Sequence, residues 1–221
     1  MKFNELVKPF PHLIITDYYD SEELKLIWEE LDFYTKPGKL FTAKDFGGTL
    51  TNSHAIALDE LYAAENGKFR NISDILTVGR KLFSPEVIDI FSEIHDSCEI
   101  AKYCNWDYTK VRYYHNREYY QPHTDHPFQF LAFSYFYREP KKFSGGELYF
   151  PKFDYELTCE NNSIIIFPGW VEHGVREVSI KGSDYYDGFG RYCISNFFGS
   201  KQTKPNRDNS FNNAALINKI L

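Results

Sequence analysis

In the stretch Gln121-Pro122-His123-Thr124-Asp125-His126-Pro127, two of the chain's seven histidines stand either side of an aspartate. Imidazole nitrogen and carboxylate oxygen both ligate metal ions. Residues i and i+2 of an extended strand project to one face, so His123 and Asp125 can converge on one ion. A polar turn bracketed by prolines would use the same residue types, because Thr and Asp are ordinary turn residues. H-x-D alone therefore decides nothing. A third donor is at hand in His173, just after the run Ser-Ile-Ile-Ile-Phe-Pro-Gly-Trp (163–170), whose Phe-Pro-Gly leads rigidly into a turn.

Two histidines and one carboxylate make the facial triad of non-haem iron(II) oxygenases, which leaves coordination positions open. Zinc accepts the same donors, but structural zinc sites are usually closed by four protein ligands. Only three can be named here, so an open site fits better. His126 would point to the opposite strand face, as a neighbour of the site or a surface residue, and His12, His54, His95 and His115 have no partner at ligand spacing. Arg191 opens the run Arg-Tyr-Cys-Ile-Ser-Asn-Phe-Phe-Gly. A guanidinium can hold a carboxylate through two parallel hydrogen bonds, and burying one on an apolar strand is costly without an anionic partner. An exposed arginine at a strand start is an equal alternative on position alone.

These residues need a scaffold. The chain has 221 residues, enough for one large domain with a sizeable core. Aromatics make up 18% of it, which favours a β-rich core. His12–Tyr19 reads as a strand. Asp20 and Glu23 then carry a capping-box signature, and Leu24, Ile27, Trp28 and Leu31 follow at helical spacing, predicting a helix over 21–34. Further helices are expected around 72–82 and from Ser84-Pro85 to about 97, with Ser as cap and Pro at the first helical position. Residues 37–54 read as a loop. From Asp107 the period changes, and 108–115, 128–139, 146–150, 162–169, 173–180 and 191–199 read as successive strands of a sandwich or barrel. The tail from Ser200 is polar with a short apolar end.

Composition narrows the function classes. A net charge of −6 gives no broad footprint for nucleic acid, which is not expected as a partner. The four cysteines form no C-x-x-C pair, and no run suggests a signal peptide or a membrane span. A cytoplasmic protein with no membrane partner is the expectation; oligomeric state is not encoded in anything read here.

Across residues 108–198, His-Thr-Asp, Ser-Gly-Gly-Glu-Leu-Tyr-Phe, Phe-Pro-Gly-Trp-x-x-His-x-Val and Arg-Tyr-x-Ile-Ser occur in an order and spacing that resemble the 2-oxoglutarate- and iron(II)-dependent dioxygenases, in particular the prolyl 4-hydroxylase-like branch. The resemblance implies an α+β, β-rich fold. A double-stranded β-helix (jelly roll) at 107–199 would be supported by an N-terminal strand and helices at 1–106, all in one domain of residues 1–200 with a tail at 200–221. It implies that His123, Asp125 and His173 hold Fe(II) and form the catalytic centre. Arg191 would grip the distal carboxylate of 2-oxoglutarate, and Tyr113 or Tyr114, and Tyr135, would line that pocket. Gly145-Gly146 match the turn opening a strand. Many relatives have serine where this chain has Cys193, and Ser195, on the same strand face, is the candidate to take its place. The implied reaction uses O2, and ascorbate as a reductant, to hydroxylate an unactivated C–H bond, releasing succinate and CO2. A prolyl residue of a peptide or protein is the first substrate class, with a free amino acid or other small molecule next; a cupin-like metal-binding protein is the non-oxygenase alternative. Loops 37–54, 115–120 and 181–190 would surround the entrance, with Tyr185-Tyr186 closing on substrate.

Overall fold

The run Arg191–Gly199 forms a nine-residue strand that is buried throughout, and its alternation divides the molecule. Tyr192, Ile194 and Phe198 face one apolar cluster, Cys193 and Phe197 another. The computed structural model describes residues 1–42, 49–62, 69–182 and 184–200.

The large sheet runs in the order β1 (Lys2–Leu6), β2 (His12–Thr16), β11 (Ser163–Pro168), β7 (Phe130–Phe136), β14 (Arg191–Gly199), β5 (Trp106–Tyr114), β4 (His54–Ala57), β3 (Phe41–Thr42). A smaller sheet has the order β10 (Tyr155–Leu157), β9 (Leu148–Phe150), β12 (His173–Val175), β6 (Tyr120–His123), and β13 (Val178–Ile180) pairs with β8 (Phe143–Gly145). Tyr114, Leu131, Phe133, Tyr135, Ile165 and Phe167 from the large sheet share one cluster with Phe143, Leu148, Phe150, Val175 and Val178 from the smaller ones. The two layers therefore close on each other as a jelly roll. The opposite face of the large sheet is covered by helices.

The longest helix, Ser21–Thr35, starts where its cap dictates. Glu22 and Glu23 donate their backbone N–H groups to Asp20 Oδ1, both at 2.9 Å, and Asp20 N–H returns a bond to Glu23 Oε2 at 2.9 Å. Ile27 and Leu31 are buried from it, and the indole of Trp28 meets Phe136 and Tyr192 edge-on. Among the described residues no helix is long and apolar enough to cross a membrane.

Several expectations change in detail. The helix around 72–82 is a short α-helix, Asp74–Val78, capped by Ser73, that tightens into a 3-10 turn at Gly79–Phe83. The helix opened by Ser84-Pro85 ends at Glu93, and a separate 3-10 stretch, Asp96–Tyr103, follows. Residues 37–54 are not all loop: Phe41 and Thr42 pair with Ala55 and His54, while 43–48 lie outside the described residues. The single strand expected over 173–180 is two strands in different sheets. Arg176 and Glu177 are both exposed, so the alternation breaks there and the chain passes from β12 to β13. The tail beyond Ser200 lies outside the described residues.

One close approach fixes the turn after β6. Asp125 N–H donates to Gly169 O at 3.0 Å, Gly169 N–H to Gln129 O at 3.1 Å, and Phe128 N–H to Asp125 O at 2.9 Å. A Cβ on Gly169 would stand 2.3 Å from Phe128 O. Gly169→Ala must push the two segments apart, and chemical denaturation should show a loss of about 1–3 kcal/mol. Asp20→Ala, which removes the helix cap, should cost about 1 kcal/mol in the same measurement.

Candidate active site

His123 closes β6 and His173 opens β12, and the two residues face each other in antiparallel register. Asp125 joins them by a different route from the one its i+2 spacing suggests. It lies beyond the end of β6, and the turn tied to Gly169, not strand alternation, brings it back. Asp125 Oδ2 is 3.5 Å from His173 Nε2 and 3.9 Å from His123 Nε2. The three donor atoms lie within 4.8 Å of one another, and Oδ2 is buried without a hydrogen-bond partner.

Each imidazole is held by the carbonyl two residues before it: His123 Nδ1 by Gln121 O and His173 Nδ1 by Val171 O, both at 2.9 Å. A proton on Nδ1 donates each bond, which leaves the Nε2 lone pair facing Asp125. Burial reinforces this state. It drives His173 down to about 3, with the neighbouring His123 adding to the effect, and it lowers His123 despite the opposing pull of Asp125. Burial raises Asp125. Two neutral imidazoles and a desolvated carboxyl with an unpartnered oxygen suit a cation placed between them. Phe133 and Phe167 pack against the His173 ring, and Tyr120 stacks on His123 with ring centres 4.0 Å apart.

Arg191 lies on the same inner surface with only 1% of its area exposed. Its guanidinium carbon is 4.9 Å from the ring centres of both Tyr114 and Tyr135. Nη2 lies 3.2 Å from Cys159 Sγ, while Nε, Nη1 and the Tyr135 hydroxyl are buried without partners. Gly146, at φ +76°, permits this packing, because a Cβ there would lie 2.7 Å from Arg191 Cδ. A buried cation with two unused nitrogens beside an unused hydroxyl is a receptor for an anion such as a carboxylate.

The other named residues divide by strand face. Tyr114 faces inward beside Arg191. Tyr113, its neighbour, faces the helices, where its hydroxyl accepts from Gly190 N–H at 3.0 Å and its ring meets Tyr192 and Tyr185. It does not reach Arg191, since successive residues of a strand point to opposite faces. Ser195 faces inward with its hydroxyl 3.5 Å from Cys193 Sγ, on the rung paired with Lys110 and Phe133 rather than beside the guanidinium. His126 is exposed. Tyr185 does not stand free over the entrance. It packs on Tyr113, His115 and His54, and its hydroxyl reaches Glu118 at 3.4 Å.

Cys159, Tyr120, Lys110 and Arg112 also line this inner surface and went unremarked in the sequence. The last two could have been found there, because Lys110-Val111-Arg112-Tyr113 alternates charged and apolar residues on a strand otherwise destined for burial.

Residues 109–199 match the family model of the 2OG-Fe(II) oxygenase superfamily. No curated protein sequence matches the chain. Among solved structures, it is similar to a prolyl-4-hydroxylase from Pseudomonas putida, with a TM-score of 0.55 and 13% identity, covering 86% of this chain and 93% of that one. The viral collagen prolyl hydroxylase of Paramecium Bursaria Chlorella virus-1, in complex with 2OG, gives a TM-score of 0.51 and 14% identity, over 86% and 96% of the two chains. SnoN, a non-haem alpha ketoglutarate dependent epimerase from nogalamycin biosynthesis, gives 0.52 and 12%, over 86% and 77%. At such identities the likeness is one of fold. The segment 109–199, which carries the two histidines, the carboxylate and the buried arginine, is thus similar to the 2OG-Fe(II) oxygenase superfamily, and the chain has a fold of the prolyl 4-hydroxylase kind.

Proposed function

We propose that His123, Asp125 and His173 hold Fe(II), that Arg191 binds the distal carboxylate of 2-oxoglutarate, and that the enzyme hydroxylates an unactivated C–H bond of a prolyl substrate. The observation that carries this reading is the set of buried polar atoms left without partners on one inner surface: Asp125 Oδ2, Arg191 Nε and Nη1, and the Tyr135 hydroxyl. Each would otherwise incur the penalty of an unsatisfied buried group. A cation among the first and a carboxylate against the others would satisfy all of them.

When bound, iron and 2-oxoglutarate supply the oxidising chemistry, in which O2 is consumed and succinate and CO2 are released. The chain's own contribution is positional. The carbonyls of Gln121 and Val171 fix the two imidazole planes, and the Gly169 anchor fixes the aspartate turn. The rings of Tyr114 and Tyr135 both pack against the guanidinium, which helps its donors hold a set direction. The aromatic wall of Phe133, Phe167 and Tyr120 keeps water away from the histidines, which protects a reactive site from side reactions. Tyr114 and Tyr135, both raised above the ordinary tyrosine range by burial, stay protonated and are available as donors to an anion. The prolyl substrate class rests on the likeness of fold to the two prolyl hydroxylases, and ascorbate as a reductant belongs to the same proposal.

Succinate formation from 2-oxoglutarate with added Fe(II), tested over proline-containing peptides and free proline, is the direct test. His173→Ala should abolish stoichiometric Fe(II) binding in anaerobic titration while far-ultraviolet circular dichroism stays unchanged. Tight zinc binding by four protein ligands would contradict the reading. Arg191→Gln should raise the half-saturating 2-oxoglutarate concentration by about thirtyfold or more, from the roughly 2 kcal/mol at the low end for a lost buried charge pair. An unchanged 2-oxoglutarate dependence would mean that another residue holds the carboxylate.

A further inference from the structure

The inner surface of the barrel carries more positive charge than this chemistry uses. Tyr108 and Tyr114 of β5 pack in the interior cluster while Val111 and Tyr113 pack under the helices, so Lys110 and Arg112 share the inward face with the two former residues. The Arg112 guanidinium carbon lies 4.7 Å from the centre of the Tyr120 ring, which is stacked on His123. Arg112 is thus one aromatic ring away from a proposed metal ligand. Its charge and that of Lys110 both act on Asp125.

The balance of charges leaves Arg112 over. Fe(II) and 2-oxoglutarate cancel each other, and Asp125 offsets Arg191. Lys110 has Glu60 within electrostatic reach, and Glu60 also accepts from the Tyr108 hydroxyl at 2.6 Å. Arg112 has a neutral partner, the Ser53 hydroxyl at 3.3 Å from Nη1, and among the described residues it forms no ion pair. It is half-buried, so it is partly withdrawn from bulk water. A guanidinium in that position, with one nitrogen held by Ser53 and the rest of its fork free, is shaped for a carboxylate.

We propose that Arg112 is a specificity-determining residue that binds a carboxylate of the substrate, so that the enzyme acts on an acid: either a free amino acid through its α-carboxylate, or a peptide with an acidic residue beside the hydroxylated one. This rests on the oxygenase reading above and narrows its substrate class. The tyrosine stack gives Arg112 a second possible duty, steadying His123, and the test must separate the two.

Binding to the full chain loaded anaerobically with Fe(II) and 2-oxoglutarate can be measured by calorimetry with two matched pairs of probes: L-proline against L-prolinamide, and acetyl-Ala-Pro-Glu-amide against acetyl-Ala-Pro-Gln-amide. The acid of at least one pair should bind about tenfold or more tightly than its amide, and which pair shows the preference identifies the source of the carboxylate. Arg112→Gln should erase the preference by weakening the acid alone, and Arg112→Lys should retain part of it. Equal binding of acid and amide in both pairs, binding of none of the four, or an equal loss for both members of a pair in Arg112→Gln would overturn the proposal. Succinate release that fails in the wild-type protein under every condition counts instead against the oxygenase reading, because the binding measurement does not depend on turnover.

Discussion

A guanidinium with 1% exposure is the most demanding object in this structure, and much of the barrel is arranged around it. The charge cannot be shed by deprotonation, so the surroundings must tolerate it. Two tyrosine rings present their faces, a thiol approaches one nitrogen, and a residue without a side chain makes room for the aliphatic stem. None of these is an anion. Among the described residues the protein alone therefore leaves Arg191 incompletely matched, and a ligand that carries negative charge would complete the match.

The same strand that buries Arg191 also fixes the division of labour between the two faces of the large sheet. Its even-numbered residues, Tyr192, Ile194 and Phe198, are held under the helices, and the register with β5 and β7 is thereby locked. A one-residue slip would exchange the faces and place Tyr192 where Arg191 stands. The helical layer therefore acts on the chemistry without touching it: by burying one face it determines which side chains appear on the other.

Much of this was legible in the sequence because it depends on local rules. The capping box at Asp20, the alternation of 191–199 and the short apolar run 163–168 each specify their element without long-range help. The spacing of His123, Asp125 and His173 also identified which residues come together, although Asp125 arrives through a turn and not along a strand. What escaped were properties set by partners distant in the chain. The strands Lys2–Leu6, Tyr155–Leu157 and Phe143–Gly145 are short or polar and exist because a neighbouring strand supplies their hydrogen bonds. The split of 173–180 depends on Arg176 bonding back to Glu147 and Val178 to Glu118. Tyr113 and Tyr114 could not be told apart until the face of β5 was known, and Tyr185 was drawn to His54 and Glu118 rather than to the entrance.

Strand β5 also works as a ruler. Its inward-facing residues are spaced by two residues, or about 6.7 Å per step, and they run from Tyr114 beside Arg191, through Arg112 over the Tyr120–His123 stack, to Lys110 and Tyr108. Depth in the barrel is thereby graduated in fixed units that side-chain motion cannot erase, because β5 is hydrogen-bonded on both sides, to β14 and to β4. A molecule entering the barrel would be measured against marks of known charge and aromaticity, and its reach from one mark to the next would set how far its bonds come to rest from a metal held, as proposed, by His123, Asp125 and His173. Lengthening the scale would require moving a charge by a whole step, so related chains that shift a basic residue between positions 110, 112 and 114 would be gauging molecules of different length.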